Sequence, residues 1–205
     1  MTDKYQNKYR ISSARLYNWD YGANGAYFIT VCTHNRVHYF GDIINGKIQL
    51  SKIGKIVNAE WLKTFDMRPD MNLIMDEYVI MPNHFYAIII IGENQYNTER
   101  YDIRDTQHDT QHDTQCDTQC RDAMHCVSTD TNIAKNKFGP QSKNLASIIR
   151  GFKIGVTKNA RQIHADFAWQ SRFYDHIIRN NESYHRIQNY IINNPMNWNK
   201  DKFHE

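Results

Sequence analysis

The sequence predicts an α+β fold built on an antiparallel sheet, and three observations lead there. Short runs dense in β-branched and aromatic residues recur along the chain, separated by helical stripes at irregular intervals rather than in strict alternation. With 205 residues, 40% of them hydrophobic, the chain can bury one sizeable core, so a single domain is expected. Its 13 tyrosines and 13% aromatic content are too high for a disordered chain.

Taken in order, Tyr27-Phe28-Ile29-Thr30-Val31-Cys32-Thr33 reads as a strand buried on both faces. Asn45-Gly46 marks a tight turn between two short extended pieces. Ser51 is placed to cap a helix that carries Ile53, Ile56, Val57 and Trp61 at helical spacing. Residues 73–81 and 84–91 follow as two strands, with Pro82-Asn83 at their junction because proline cannot donate to a central ladder. Leu145, Ile148, Ile149, Phe152 and Val156 then form one helical stripe. Residues 167–179 read as a long strand or a strand pair. A last helix from about Glu182 turns Tyr184, Ile187 and Ile191 inward and stops ahead of Pro195.

One stretch departs from this pattern. Residues 105–120 are four tetrapeptides, Asp-Thr-Gln-His twice and then Asp-Thr-Gln-Cys twice, without a large apolar residue. Residues 95–137 are therefore expected to be a disordered insertion interrupting a domain that spans residues 9–203. The net charge of +3 is unevenly spread: residues 101–132 carry seven Asp against Arg104 and Arg121, a net −5, which leaves +8 on the rest. A basic body suits a polyanionic partner such as nucleic acid. The longest aliphatic run, Ala87-Ile88-Ile89-Ile90-Ile91, falls far short of the ~20 residues that span a bilayer. The first eight residues hold no apolar h-region, and the cysteines, three in the polar tract and Cys32 in an apolar strand, form no disulfide framework. A cytoplasmic protein without a membrane partner is expected.

Several residues could carry chemistry. Tyr190 lies on the flank of the last helix, with Asn194 one turn further on the same side. Taken alone, a tyrosine there is a packing residue. His84 and Tyr86, at i and i+2 of a strand, share one face. Two histidines so placed would hold a metal, whereas a lone histidine on an apolar strand also reads as a satisfied core residue. Arg150, Lys153 and Arg161 form a basic stripe on their helix, either a grip for phosphates or a solvated face. His108, His112, Cys116 and Cys120 recur every four residues, as zinc ligands could, but the identical spacers favour an expanded repeat.

Several blocks in a common order resemble REP-associated tyrosine transposases, which are single-tyrosine HUH transposases of bacterial insertion sequences. The blocks are Tyr9-Arg10-Ile11, Ser13-Ala14-Arg15-Leu16, Trp19-Asp20-Tyr21, Gly25 through Thr33, Tyr39-Phe40-Gly41, Met81-Pro82-Asn83-His84, Trp169 through Arg179, and Tyr190-Ile191-Ile192-Asn193-Asn194-Pro195. The resemblance implies a ferredoxin-like core and cleavage and rejoining of single-stranded DNA near hairpins. It implies Tyr190 as the nucleophile, leaving a 5′-phosphotyrosine and a free 3′-hydroxyl. Mg²⁺ or Mn²⁺ would be held by His84, Asn194 and the second motif histidine. With DNA as the partner, Arg10, Arg15 and the stripe of Arg150, Lys153 and Arg161 are the expected DNA contacts. The chain departs from the motif at that second histidine, which is Tyr86, giving His84-Phe85-Tyr86. His176 or water is the expected substitute ligand. Two other readings stand beside this one. One is a non-catalytic hairpin-binding derivative; the other is an RNA-binding module stacking bases on Tyr27, Phe28, Tyr78 and Phe85.

Overall fold

A computed structural model describes residue 16, residues 19–98 and residues 142–204. Strand β1 (Gly25–Cys32) leads into a hairpin of β2 (Gly41–Ile44) and β3 (Lys47–Leu50). Asn45 and Gly46 hold φ of 51° and 72°, the left-handed pair that a two-residue hairpin turn of the primed type needs. Helix α1 (Lys52–Asp66) starts where Ser51 accepts a hydrogen bond from the Gly54 amide at 3.0 Å. Then come β4 (Leu73–Ile80), β5 (His84–Ile91), α2 (Leu145–Ala160), β6 (Tyr174–Ile178) and α3 (Asn181–Asn193). A 3-10 turn, Pro195–Lys200, follows α3.

The main sheet runs β4-β5-β1-β6, and every described pairing in it is antiparallel. Setting the hairpin aside, the chain reads strand–helix–strand–strand–helix–strand, with β5 lodged between β1 and β4, and β1 between β5 and β6. That is the interleaved pair of βαβ units of the ferredoxin-like fold. The predicted α+β class and this topology agree.

Two apolar layers sandwich the sheet. On one face α1 and α2 cover Tyr27, Ile29, Val31, Phe85, Ala87 and Ile89. Trp61 sits at the centre of that layer, its ring 4.9 Å from Phe85 and 5.3 Å from Phe152. The alternate residues of the same strands, Phe28, Tyr86 and Ile88, face α3 and the turn after it, packing with Ile191 and Trp198. Period-2 alternation on a sheet covered on both sides explains why β1 and β5 look apolar throughout.

The rings proposed above for RNA stacking are therefore split between the layers. Tyr27, Tyr78 and Phe85 belong to the helix-covered core and Phe28 to the other face, so they form no open stacking platform. The long strand or strand pair expected over residues 167–179 is also corrected. Only Tyr174–Ile178 is a strand. Ahead of it Phe167 and Trp169 tuck into the first core, and Trp169 makes a single bridge to Thr33.

The repeats, and residues 99–137 of the expected insertion, lie outside the described residues. On either side of the undescribed stretch the chain returns to one point. The Tyr96 hydroxyl donates to Asp70 Oδ2 at 2.8 Å, and the Lys143 ammonium pairs with the same oxygen. Among the described residues no helix is long and apolar enough to cross a membrane.

Candidate active site

Local structure brings the motif residues together. Pro82 has no N–H to give, and the chain turns at Met81-Pro82-Asn83 between β4 and β5. Asn83, buried at that turn, donates through Nδ2 to the carbonyls of Arg36 (3.2 Å) and Phe203 (2.7 Å). Those two bonds identify which amide atom is nitrogen, so Asn83 Oδ1 is the atom 2.8 Å from His84 Nδ1. An amide oxygen can only accept, so Nδ1 carries the proton and Nε2 bears a bare lone pair. His84 is fully buried, and Nε2 has no hydrogen-bond partner. Burial pushes the imidazole down to about 3, so it is neutral at pH 7. Trp198 and Phe203 lie against it, their ring centres at 5.9 and 4.9 Å.

Tyr86 projects beside it, with ring centres 4.4 Å apart, as the i, i+2 spacing requires. It does not face a polar cleft. The ring is 1% exposed and stacks on Phe28 at 5.5 Å. Burial and the phenol of Tyr190 push its hydroxyl far above the ordinary tyrosine range.

Helix α3 supplies the rest. Asn180 caps it by accepting from the Ser183 amide at 2.8 Å. A bulge in β4 between Met75 and Tyr78 contains Asp76, which accepts from Tyr184 and, at 3.2 Å, from Gln188 Nε2. With α3 fixed along the sheet, the Tyr190 hydroxyl donates to the Tyr86 oxygen at 2.9 Å and lies 3.4 Å from Asp201 Oδ2. The tyrosine as a whole remains 43% exposed. Burial raises its pKa above the usual value. Asn194 is buried, its Nδ2 donating to Asp201 Oδ2 at 3.0 Å while its Oδ1 has no partner.

The structure thus gathers His84, Tyr86, Tyr190 and Asn194, and adds Asp201, which sequence reasoning missed. Nothing in the pattern near Asp201 marks it, because the turn that carries it back is a tertiary feature. His176 does not join them. It pairs with Phe28, four positions along β1 from the Cys32 that pairs with His84, or roughly 13 Å along the strand, and on the opposite side of β1.

The basic stripe divides as well. Arg10 and Arg15 lie outside the described residues. Lys153 Nζ donates to the Gln170 carbonyl at 2.7 Å, and burial pushes the ammonium down to about 8. It ties α2 to the chain ahead of β6, with one of its three N–H donors engaged in that bond. Arg161 Nε donates to the Phe167 carbonyl at 3.1 Å, and Arg150 is exposed. Both arginines edge a groove of about 680 Å³ floored by Ile149, Ile154, Trp169 and Phe173, on the sheet face opposite Tyr190. Lys153→Met should lower stability by about 1 kcal/mol, or roughly 2–4 °C in Tm, with DNA affinity unchanged. Unchanged melting with weaker, more salt-sensitive DNA binding would reverse that assignment.

No family model matches the chain. An uncharacterized protein of Haemophilus influenzae (strain ATCC 51907 / DSM 11121 / KW20 / Rd) is 34% identical over 212 residues, an alignment covering 100% of this chain and 99% of that protein. The chain belongs to the family of that protein. Its backbone is also similar to the solved structure of a REP-associated tyrosine transposase bound to a REP hairpin, with a TM-score of 0.49 and 16% identity over 89% of this chain and 73% of that one. At that level of superposition the likeness assigns no residue a role.

Proposed function

We propose that the chain is a tyrosine-dependent DNA transposase, which cleaves and rejoins single-stranded DNA beside hairpins with Tyr190 as nucleophile. The observation that carries this is the phenol of the exposed Tyr190 meeting, across a shared hydrogen bond, a strand motif whose His84 holds a buried and unpartnered Nε2. Buried polar atoms are rarely left without a partner, and two here, His84 Nε2 and Asn194 Oδ1, await one.

Both atoms suit Mg²⁺ or Mn²⁺. An imidazole lone pair fixed by a hydrogen bond at the other ring nitrogen is a standard metal donor, and an amide oxygen is a hard one. The neutral Tyr86 phenol is not. A divalent ion held there would supply positive charge at the oxygens of the scissile phosphate. Tyr190 forms the bond to phosphorus as the bond from phosphorus to the 3′-oxygen breaks. The phenol proton is given up, and the leaving 3′-oxygen takes one to become a hydroxyl. The phosphotyrosine retains an ester bond, so rejoining needs no nucleotide hydrolysis. Strand β6 edges the sheet, so a single strand could pass around it from Tyr190 to Arg150 and Arg161 in the groove.

The test is incubation with hairpin-flanked single-stranded DNA and Mn²⁺, looking for a protein–DNA adduct that survives denaturing electrophoresis. Hairpin binding with no adduct would leave the non-catalytic hairpin-binding reading, which the departure at Tyr86 favours.

A further inference from the structure

We propose that Asp201 is the anionic ligand that completes a divalent-cation site with His84 and Asn194, in the place that Tyr86 leaves open. The proposal deepens the reading above and rests on it in one respect, that the site takes up a divalent ion.

Charge gives the first reason. His84, Asn194 and Tyr86 are all neutral donors, and a doubly charged ion moved among them from water would meet no compensating charge. Hard cations take carboxylate oxygens by preference. Asp201 is the carboxylate that the hydrogen bonds of this site bring to it, its Oδ2 lying 3.0 Å from Asn194 Nδ2 and 3.4 Å from each of the phenols of Tyr86 and Tyr190.

Geometry gives the second. Asp201 Oδ1 accepts from the Phe203 amide at 2.7 Å, which sets the plane of the carboxylate and turns Oδ2 inward. The bond from Asn194 Nδ2 to Oδ2 fixes the amide as well, leaving its Oδ1 as the buried, unpartnered atom. Asp201 is held there by tertiary anchors. Trp198 plugs into the layer beside His84, the Phe203 carbonyl is tied to Asn83, and the Arg36 guanidinium lies 5.4 Å from the centre of the Phe203 ring. Among the described residues no three His, Cys, Asp or Glu side chains cluster. A site here therefore needs a mixed set, one imidazole, one amide and one carboxylate.

The experiment is calorimetric titration of MnCl₂ into the full chain without DNA, comparing the natural protein with Asp201→Asn. Asparagine keeps the size of the side chain and removes its charge. Mn²⁺ affinity should fall at least tenfold, while the metal-free melting temperature falls by only roughly 2–4 °C, because the amide keeps one of the two accepting oxygens that the Phe203 amide and Asn194 Nδ2 use. Equal affinity in the two proteins overturns the proposal, and if the natural protein still forms its adduct, the transposase reading stands without it. No Mn²⁺ uptake by the natural protein at millimolar concentration overturns the cation site itself. Should Asp201→Asn fail to fold, Asp201→Ser, whose hydroxyl can still accept from the Asn194 amide, is titrated in its place. The same tenfold loss of Mn²⁺ affinity is expected, and unchanged affinity rejects the assignment.

Discussion

Replacing Tyr190 by phenylalanine should abolish covalent capture of DNA, by on the order of 10⁴-fold or more, as loss of a nucleophile does. Hairpin affinity should stay close to that of the natural protein. The substitution removes one oxygen and no ring. The aromatic contacts at 5.3 Å to Tyr86 and 6.4 Å to Phe28 remain, so α3 keeps its seat on the sheet. The hydroxyl's bond to Tyr86 is lost, at a cost of about 1 kcal/mol or less for a half-exposed group. In the natural protein, burial holds the Tyr190 pKa above the ordinary tyrosine value, so the phenol is protonated at neutral pH. Adduct formation should therefore rise with pH through the neutral range without levelling off below pH 10. Denaturing gels of natural and Tyr190→Phe protein across that range give the measurement. An adduct of undiminished yield in the phenylalanine protein would place the nucleophile on another tyrosine.

The fold was legible where the pattern was local. Ser51 capped α1, the Leu145, Ile148, Ile149, Phe152 and Val156 stripe became the buried face of α2, and Pro82 fell at the strand junction. The 167–179 stretch misled because Phe167, Trp169 and Phe173 mimic strand alternation while packing under α2. Of the site, the i, i+2 geometry of His84 and Tyr86 and the i, i+4 relation of Tyr190 and Asn194 followed from period alone. Two things could not. Asn83 sets the His84 tautomer only because Arg36 and Phe203, 47 and 120 residues away, occupy its nitrogen. Asp201 reaches the site only because the chain reverses after α3 and Trp198 docks on the sheet. Lys153 reads by spacing as a phosphate grip or a solvated face, and its bond to the Gln170 carbonyl is a tertiary contact that spacing does not show.

Tyr86→His should produce two opposed effects large enough to separate. The position lies beside His84 on one face of β5, where the resemblance described above implies the second histidine of the motif. An imidazole there adds a donor to His84 Nε2 and Asn194 Oδ1, and Mn²⁺ should bind more tightly by more than the roughly 10- to 100-fold that a residue merely orienting a ligand is worth. The metal-free protein should become less stable by roughly 1–3 kcal/mol, because a fully buried ring stacked on Phe28 is replaced by a smaller one that leaves a void. The Tyr190 hydroxyl also loses its 2.9 Å partner. Saturating Mn²⁺ then offsets the loss, since an ion at 100 times its dissociation constant adds about 2.7 kcal/mol to the folded state. Thermal melts with and without Mn²⁺ should therefore show a lower metal-free Tm in the variant and a larger rise on adding the ion. Adduct yield at limiting Mn²⁺ should rise in the same variant and vanish in the Tyr86→His, Tyr190→Phe double substitution. A variant that loses stability without gaining Mn²⁺ affinity would show that residue 86 does not border the ion, and that the phenol is there to pack against Phe28 and steady Tyr190.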